Sequence, residues 1–466
     1  MNIKNFKLKK YYFLTTAFST ILSFIFASLF SYNKLHSIKT DSFTVGFFIR
    51  FAVIFLFSIG LAILLKKRPA AMRFSKQVFT VYEKKNVDFS SLVCGTVVFF
   101  LAFYLALQAP VDYGFHIEIA CSFDFRDVKG IFLQYSTPLW HVFVRIFNLI
   151  LSIPPLYSAA LTSALLFVLT YHATLCIIRE AAQAPFAKKY APHFSAMLMF
   201  VQPIYLPWFN DHQIYGQGSP NIMHNPTNIA AKPFAIICAY LIVKLLMKIF
   251  RNEKIEAAEY VRLSLFMFIS VIAKPSAIQV VLPALAIFLL ISLISSKGKT
   301  IFICLKTAAA CVPAFLWMLF TFYLSFISDV AQTPGGIAFS FFDVWKEFSD
   351  CIPLSILLVT LFPLVEIAVL YRKNDLTLNK LGIAFGVVTV IIGIMEYAFI
   401  METGDRKLHG NFSWGYNIAL GLLWTFTTSH MLENSDKKDK GVAWGIVCTA
   451  FIVHFIYGVY YYLNLV

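Results

Sequence analysis

The chain is a succession of apolar runs, most of them close to twenty residues long and separated by short polar segments, and that pattern restricts its fold more than any other feature. Twenty residues of helix, rising 1.5 Å each, match the roughly 30 Å hydrocarbon thickness of a bilayer. Inside a bilayer a crossing segment must satisfy its own backbone hydrogen bonds, so the runs predict helices and not open strands or loops. They fall near residues 11–31, 45–65, 91–109, 157–178, 194–209, 233–250, 261–273, 276–295, 301–325, 352–371, 381–400, 417–432 and 441–463. The expectation is an all-α, polytopic integral membrane protein of about thirteen transmembrane helices. Composition agrees: 59% of residues are hydrophobic and 14% charged, against about 25% charged in soluble domains. A soluble enzyme, a disordered regulator and a disulfide-rich secreted domain are excluded.

The formal net charge of +15 reads as topology before it reads as a partner. With a cytoplasmic N-terminus, the inside segments are 1–10, 66–86, 179–193, 244–262, 297–306, 372–380 and 434–440, and they hold 28 of the 39 Lys and Arg residues. Cytoplasmic loops carry such an excess, so the charge implies a multi-pass protein of the cytoplasmic (plasma) membrane and no nucleic-acid partner. The basic start is followed by about twenty apolar residues, longer than a signal peptide core, which predicts a retained first helix. The eight cysteines show no CxxC and no paired spacing, so no disulfide framework or zinc site is implied.

Residues 137–152 are too short and too polar for a lipid-exposed span. If they crossed, every later loop would change sides and the charge asymmetry would fail. They are expected to lie as an amphipathic, juxtamembrane helix within a first large outer loop of about 110–156.

Polar residues gather in three outer segments. The first, Asp112-Tyr-Gly-Phe-His116-Ile-Glu118, places Asp112 and His116 one helical turn apart. Asp112 is a candidate general base, with His116 and Glu118 to orient it or touch an acceptor; an Asp at a helix start is also an ordinary N-cap. The second, residues 208–228, is dense in amides and imidazoles. Its Gly and Pro fit a turn series, whereas Trp208, Asp211, His212, Gln217, Asn221, His224 and Asn225 suit a sugar-binding surface. His212 and His224 lie twelve apart without a fixed acidic partner, so a divalent metal is conceivable but not expected. The third, Glu402 to Tyr416, carries Arg406, Lys407 and His409 on a side that otherwise avoids basic residues. These suit a phosphate or diphosphate, and Lys232 and Lys274, before prolines at outer helix ends, could join them. Snorkelling to the interface explains the two lysines equally well. The 329–350 loop, with Trp345, is expected to form a short interfacial helix.

The arrangement resembles the GT-C superfamily of membrane glycosyltransferases, which includes oligosaccharyltransferases, protein mannosyltransferases and lipid A aminoarabinose transferases. Three features carry the likeness: Asp112 after an early span, the Tyr135-Ser-Thr-Pro138-Leu-Trp-His141 element before a juxtamembrane helix, and Ala273-Lys274-Pro275-Ser276 between two close spans. It covers about residues 91–295 and divides the chain into an N-terminal hairpin with a basic loop (1–90), a GT-C-like catalytic core (91–295) and C-terminal helices with outer loops (296–466). The extra hairpin departs from the pattern. So does the expected lack of a large outer domain after the last span, which favours a glycan or lipid-linked acceptor over a protein. The resemblance implies a polyprenyl-phosphate sugar donor, Asp112 as base, lipid-phosphate contacts from Lys232, Lys274, Arg406, Lys407 and His409, and no firm cofactor. Two rivals stand beside it: a polymerase or ligase using a diphosphate-linked glycan, and a transporter or flippase. A transporter should place ionisable groups or broken helices at mid-membrane, whereas the polar residues here are expected to collect at the outer ends.

Overall fold

The computed structural model describes residues 88–108, 111–210, 212–327, 335–371, 376–436 and 441–464. The spans expected at 11–31 and 45–65, nearly all of the 1–90 segment, and Asp211 lie outside the described residues. Chain contacts separate two units, residues 1–77 with 147–154, and residues 78–146 with 155–466. Of the first unit only 147–154 are described, where Asn148 Nδ2 donates to the Ile153 carbonyl at 2.9 Å. All that follows concerns the second.

Helix α1 (Phe89–Leu107) starts at Asp88, whose carboxylate accepts the Ser91 N–H at 2.7 Å. Three short helices follow, α2 (Tyr113–Ser122), α3 (Val128–Gln134) and α4 (Leu139–Leu151). The last covers, as a helix, most of the segment 137–152 expected to be amphipathic. Then come α5 (Pro155–Ala181), α6 (Pro185–Leu198), α7 (Pro226–Phe250), α8 (Ala257–Ala273), α9 (Ser276–Ser295), α10 (Ile301–Phe326), α11 (Asp343–Lys346), α12 (Ile352–Leu370), α13 (Leu378–Phe399), α14 (Ser413–Glu433) and α15 (Gly441–Asn464). Among the described residues eight helices, α1, α5, α7, α9, α10, α12, α13 and α15, are long and apolar enough to cross a membrane. The protein is therefore a largely helical, multi-pass membrane protein. A two-stranded antiparallel ribbon, β1 (Ile337–Phe339) with β2 (Ile400–Glu402), is the departure from all-α among the described residues; Ala338 pairs with Met401.

Helix α14 is buried from Ser413 to Leu432 and so needs no lipid-facing surface. Its hydroxyls turn back on their own helix, Thr425 Oγ1 donating to the Gly421 carbonyl at 2.8 Å and Thr427 Oγ1 to Leu423 at 2.9 Å. It packs closely on α13, where a Cβ at Gly393 would lie 2.6 Å from Tyr416 Cα. Small residues permit such close backbone approach within membranes.

The fifth expected span, 194–209, is not a helix. Helix α6 ends at Leu198 and the chain runs on without regular structure to Asn210. Pro203 and Pro207 explain the break, since each lacks the N–H a helix interior requires. Freed backbone groups find partners inside the protein, as buried polar groups must. Gln202 N–H donates to the His454 carbonyl at 3.1 Å and His454 Nδ1 to the Gln202 carbonyl at 2.8 Å. Asn221 Nδ2 caps the end of α6 through the Leu198 and Val201 carbonyls at 2.8 and 3.0 Å. Lys232, on α7, donates to the Pro220 carbonyl at 2.6 Å and to Asn221 Oδ1. A broken segment and a partly buried lysine, near the start of α7, thus lie beside the polar residues expected at the helix ends. The short helix expected within 329–350 is α11, and its Trp345 is fully buried and donates to the Gly216 carbonyl at 2.8 Å.

Candidate functional site

At one end of the helices lies an open cavity of about 1020 Å3. Separate stretches of chain build it, among them the start of α2, the α3–α4 connection, residues 212–215, the start of α7, the α8–α9 turn, the second half of α10, and the segment from β2 to α14, with Ile337 and Phe348 added. Asp112, His116, His212, Asn225, Lys274, Arg406 and His409 all line it, so residues from all three polar segments meet in one place.

Local structure explains how. Asn225 precedes Pro226, the first residue of α7, and its Oδ1 accepts the Asn228 N–H at 3.0 Å, a helix N-cap with proline in the favoured first position. Lys274 ends α8 in extended conformation, as the following proline requires. That turn points its ammonium at Asn225 Oδ1 (2.8 Å) and Thr227 Oγ1 (3.1 Å), 4.6 Å from the centre of the Trp414 ring. The Asn225 Nδ2 donates in turn to Asp112 Oδ2 at 2.8 Å. Only this orientation of the amide suits a carboxylate on one side and two cationic or N–H donors on the other. Asp112 precedes α2, yet its side chain makes no capping bond; its carboxylate serves the cavity.

The surroundings set the charges. Burial, opposed by Asp112, brings the Lys274 ammonium down to about 7. Burial, reinforced by Lys274 and opposed by Asp112, holds His116 near 4 and therefore neutral. His224 also falls to about 4, chiefly by burial, with Asp112 opposing and Lys274 reinforcing. Burial pushes the Tyr135 and Tyr215 phenols up to about 12, so both cavity hydroxyls stay protonated.

Arg406 is already engaged: it forks onto Glu402, four residues earlier, at 2.8 and 3.2 Å. Among the cationic side chains lining the cavity, Lys274 is held by neutral acceptors. Met318, Leu319, Phe322 and Phe326 of α10 give the cavity an apolar wall, and α10 also exposes Phe315, Leu316, Leu319 and Tyr323.

Other expected residues lie elsewhere. Glu118, Trp208 and Lys407 are exposed and do not line the cavity. Gln217 and Asn221 are buried and bonded to the backbone, Gln217 Nε2 donating to the Ile204 carbonyl at 2.8 Å. Lys232 belongs to the same internal network, and His224 packs between Tyr215 and Trp414 with ring centres 6.2 and 5.6 Å away. Tyr135, Thr137, Gln279 and Phe348 line the cavity without having been singled out. Tyr135 sits in the element that prompted the family resemblance, whereas Gln279 and Phe348 carry no sequence signal. Among the described residues no group of three or more His, Cys, Asp or Glu could hold a metal ion. No family model, curated protein or solved structure matches the chain. The class that the fold itself defines is a polytopic helical membrane protein with a polar cavity at one end of its helices.

Proposed function

We propose that the protein is a membrane glycosyltransferase of GT-C type, moving a sugar from a polyprenyl-phosphate donor to a glycan or lipid-linked acceptor on the extracytoplasmic face. The observation that carries this reading is the pairing, within one cavity, of a carboxylate and a neutral-bound lysine with an apolar wall that continues onto the lipid-facing side of α10. A polyprenyl-phosphate sugar has the same division into polar head and long apolar chain. Asp112 accepts the proton of the acceptor hydroxyl as its oxygen attacks the anomeric carbon. The bond from that carbon to the phosphate oxygen breaks, and the lipid phosphate departs as an anion beside Lys274. No general acid is needed, because the leaving group is already ionised.

Charge favours a phosphodiester donor over the diphosphate of a polymerase or ligase. Arg406 is forked onto Glu402 and Asp405 also lines the cavity, which leaves one uncommitted lysine for the phosphate. Transport of a lipid-linked substrate is the second reading, favoured by the broken segment after α6 and by Lys232 within it. Reconstituted protein given radiolabelled polyprenyl-phosphate sugar and membrane glycolipid acceptors separates the three. Transfer should occur and Asp112→Asn should lower it by about 10²–10⁴-fold with folding intact. Normal turnover by that variant removes Asp112 as base, activity only with diphosphate donors selects the polymerase, and exchange of intact substrate without a new glycosidic bond selects transport.

A further inference from the structure

We infer that Trp414 is a positioning residue for Lys274: its ring face seats the ammonium and keeps it a cation that an anionic ligand group in the cavity can still use. The inference rests on the proposed function in one respect, since on that reading the anion is the donor's phosphate. The Lys274 Nζ lies over the Trp414 ring, 4.6 Å from its centre, well inside the range of about 6 Å over which a ring face attracts a cation. Both side chains line the cavity. Two of the three ammonium N–H bonds go to neutral oxygens, Asn225 Oδ1 and Thr227 Oγ1. An ammonium taken partly out of water favours its neutral form unless something replaces the lost hydration. A carboxylate would do so by cancelling the charge, whereas the ring's quadrupole stabilises the cation and leaves the net charge in place.

The ring is held in that attitude from several sides. Trp414 is the second residue of α14, is buried, and packs with Ile214 and Ile222. Tyr215 and His224 meet it at steep angles, 63° and 53°, each with its ring centre 5.6 Å away. Its Nε1 donates to Asn411 Oδ1 at 3.2 Å. An indole N–H can only donate, so the Asn411 amide must turn its oxygen to Trp414 and its nitrogen to Glu402, where Nδ2 donates to Oε2. Glu402 is buried, forked by Arg406 and paired through β2 with Ile337 of β1. The indole plane is thus tied to the ribbon, and Lys274 is fixed by the extended turn before Pro275. The titratable groups that face the ammonium are Asp112 and His116 from α2 and His224 ahead of α7. On the side of α14, Glu402 and Arg406 neutralise each other, and Glu396 of α13 abuts Gly415, where a Cβ would lie 2.6 Å from its Oε2. Fluorine on the Trp414 ring changes none of these groups, which separates the ring's contribution from theirs.

The test uses full-length protein in lipid nanodiscs with 13C-labelled lysine, and with tryptophan carrying one to four fluorine atoms placed at position 414. The Lys274 signal is assigned by its loss in Lys274→Arg. Each fluorine withdraws electron density from the ring face while keeping its shape, so the pH midpoint of Lys274 should fall step by step, by about one unit over the series. Trp414→Phe, with a smaller face, should lower it part of the way, and Trp414→Leu, with none, at least as far as four fluorines. On the proposed reading, the pH above which the donor KM rises should move down in step. A midpoint that ignores fluorination overturns the inference, as does a Trp414→Leu variant that folds and titrates as the wild type does. If the leucine variant does not fold, the fluorinated series decides alone. If the wild type transfers no sugar, the proposed function fails by itself and the lysine midpoints still decide the role of Trp414.

Discussion

Lys274 meets an amide where a carboxylate would be the expected neighbour. A direct ion pair with Asp112 would occupy the acceptor of one and the charge of the other. With Asn225 between them, its N–H₂ towards Asp112 and its carbonyl towards Lys274, the carboxylate can still accept a proton and the ammonium can still meet an anion. Desolvation of the partly buried lysine brings its ammonium down to about 7, so it is charged below that pH and neutral above it. Donor binding should follow: KM for the polyprenyl-phosphate sugar should rise roughly tenfold for each pH unit well above about 7. Lys274→Arg stays charged throughout and should lose that rise, whatever its absolute KM. A wild-type KM flat from pH 6 to 9 would remove Lys274 from anion binding. Stability carries the opposite sign. The unfolded chain binds the lysine proton up to its ordinary 10.5, so the buried group's cost is complete below about 7 and fades as pH rises from there to about 10.5.

Among the helices, what could be read in advance and what could not have separate physical causes. The eight apolar helices were legible because each carries its own signal, an uninterrupted run as long as a bilayer is thick. The segment 194–209 imitates that signal in composition, while Pro203 and Pro207 deny it the backbone; hydropathy counts side chains and is blind to a missing N–H. Arg406 looked available in sequence, although the Glu402 four residues before it is a pairing the spacing offers. The meeting of Asp112 with Asn225 and Lys274 depends on contacts between residues 49 and 113 apart in the chain, which no local pattern encodes. His141 stands in the Tyr135–His141 element, yet its contact with His116, 2.9 Å across 25 residues of chain, is likewise one that no local pattern encodes. The broken segment makes its own prediction through α15, which lies against it without side chains between. A Cβ at Gly458 would come within 1.7 Å of the Phe200 carbonyl oxygen, whereas at Gly445, on the same helix, nothing lies within 4 Å. Gly458→Ala should therefore destabilise the protein by about 1–3 kcal/mol. Gly445→Ala should be neutral or stabilising by up to about 1 kcal/mol, since alanine favours helix. Thermal unfolding of both variants in the same detergent checks this, and equal stability would mean that α15 does not seat the segment.

At the scale of the molecule, where its paired lysines lie bears on sidedness. Lys244, Lys248 and Lys254 lie at helix ends and connections remote from the cavity and are paired with Glu180, Glu259 and Glu256. Lys274 and Arg406 line the cavity, the first on neutral acceptors and the second forked onto Glu402. Basic loops are retained in the cytoplasm, so the cavity should open on the opposite face, where a lipid-linked sugar and an envelope acceptor could meet. Exposed positions at the two ends test that assignment. In a background with the native cysteines replaced, Glu118→Cys should react with a membrane-impermeant maleimide on intact cells, while Lys254→Cys should react only after lysis. The reverse pattern would put the cavity in the cytoplasm and overturn the extracytoplasmic reading. Sidedness also bears on the choice between transfer and transport. An enzyme with its cavity at one end needs donor and acceptor on that face alone, so inside-out vesicles should form no product from an acceptor added outside, and right-side-out vesicles should. A transporter working through the broken segment after α6 would instead move its substrate in both orientations, because counterflow has no preferred side.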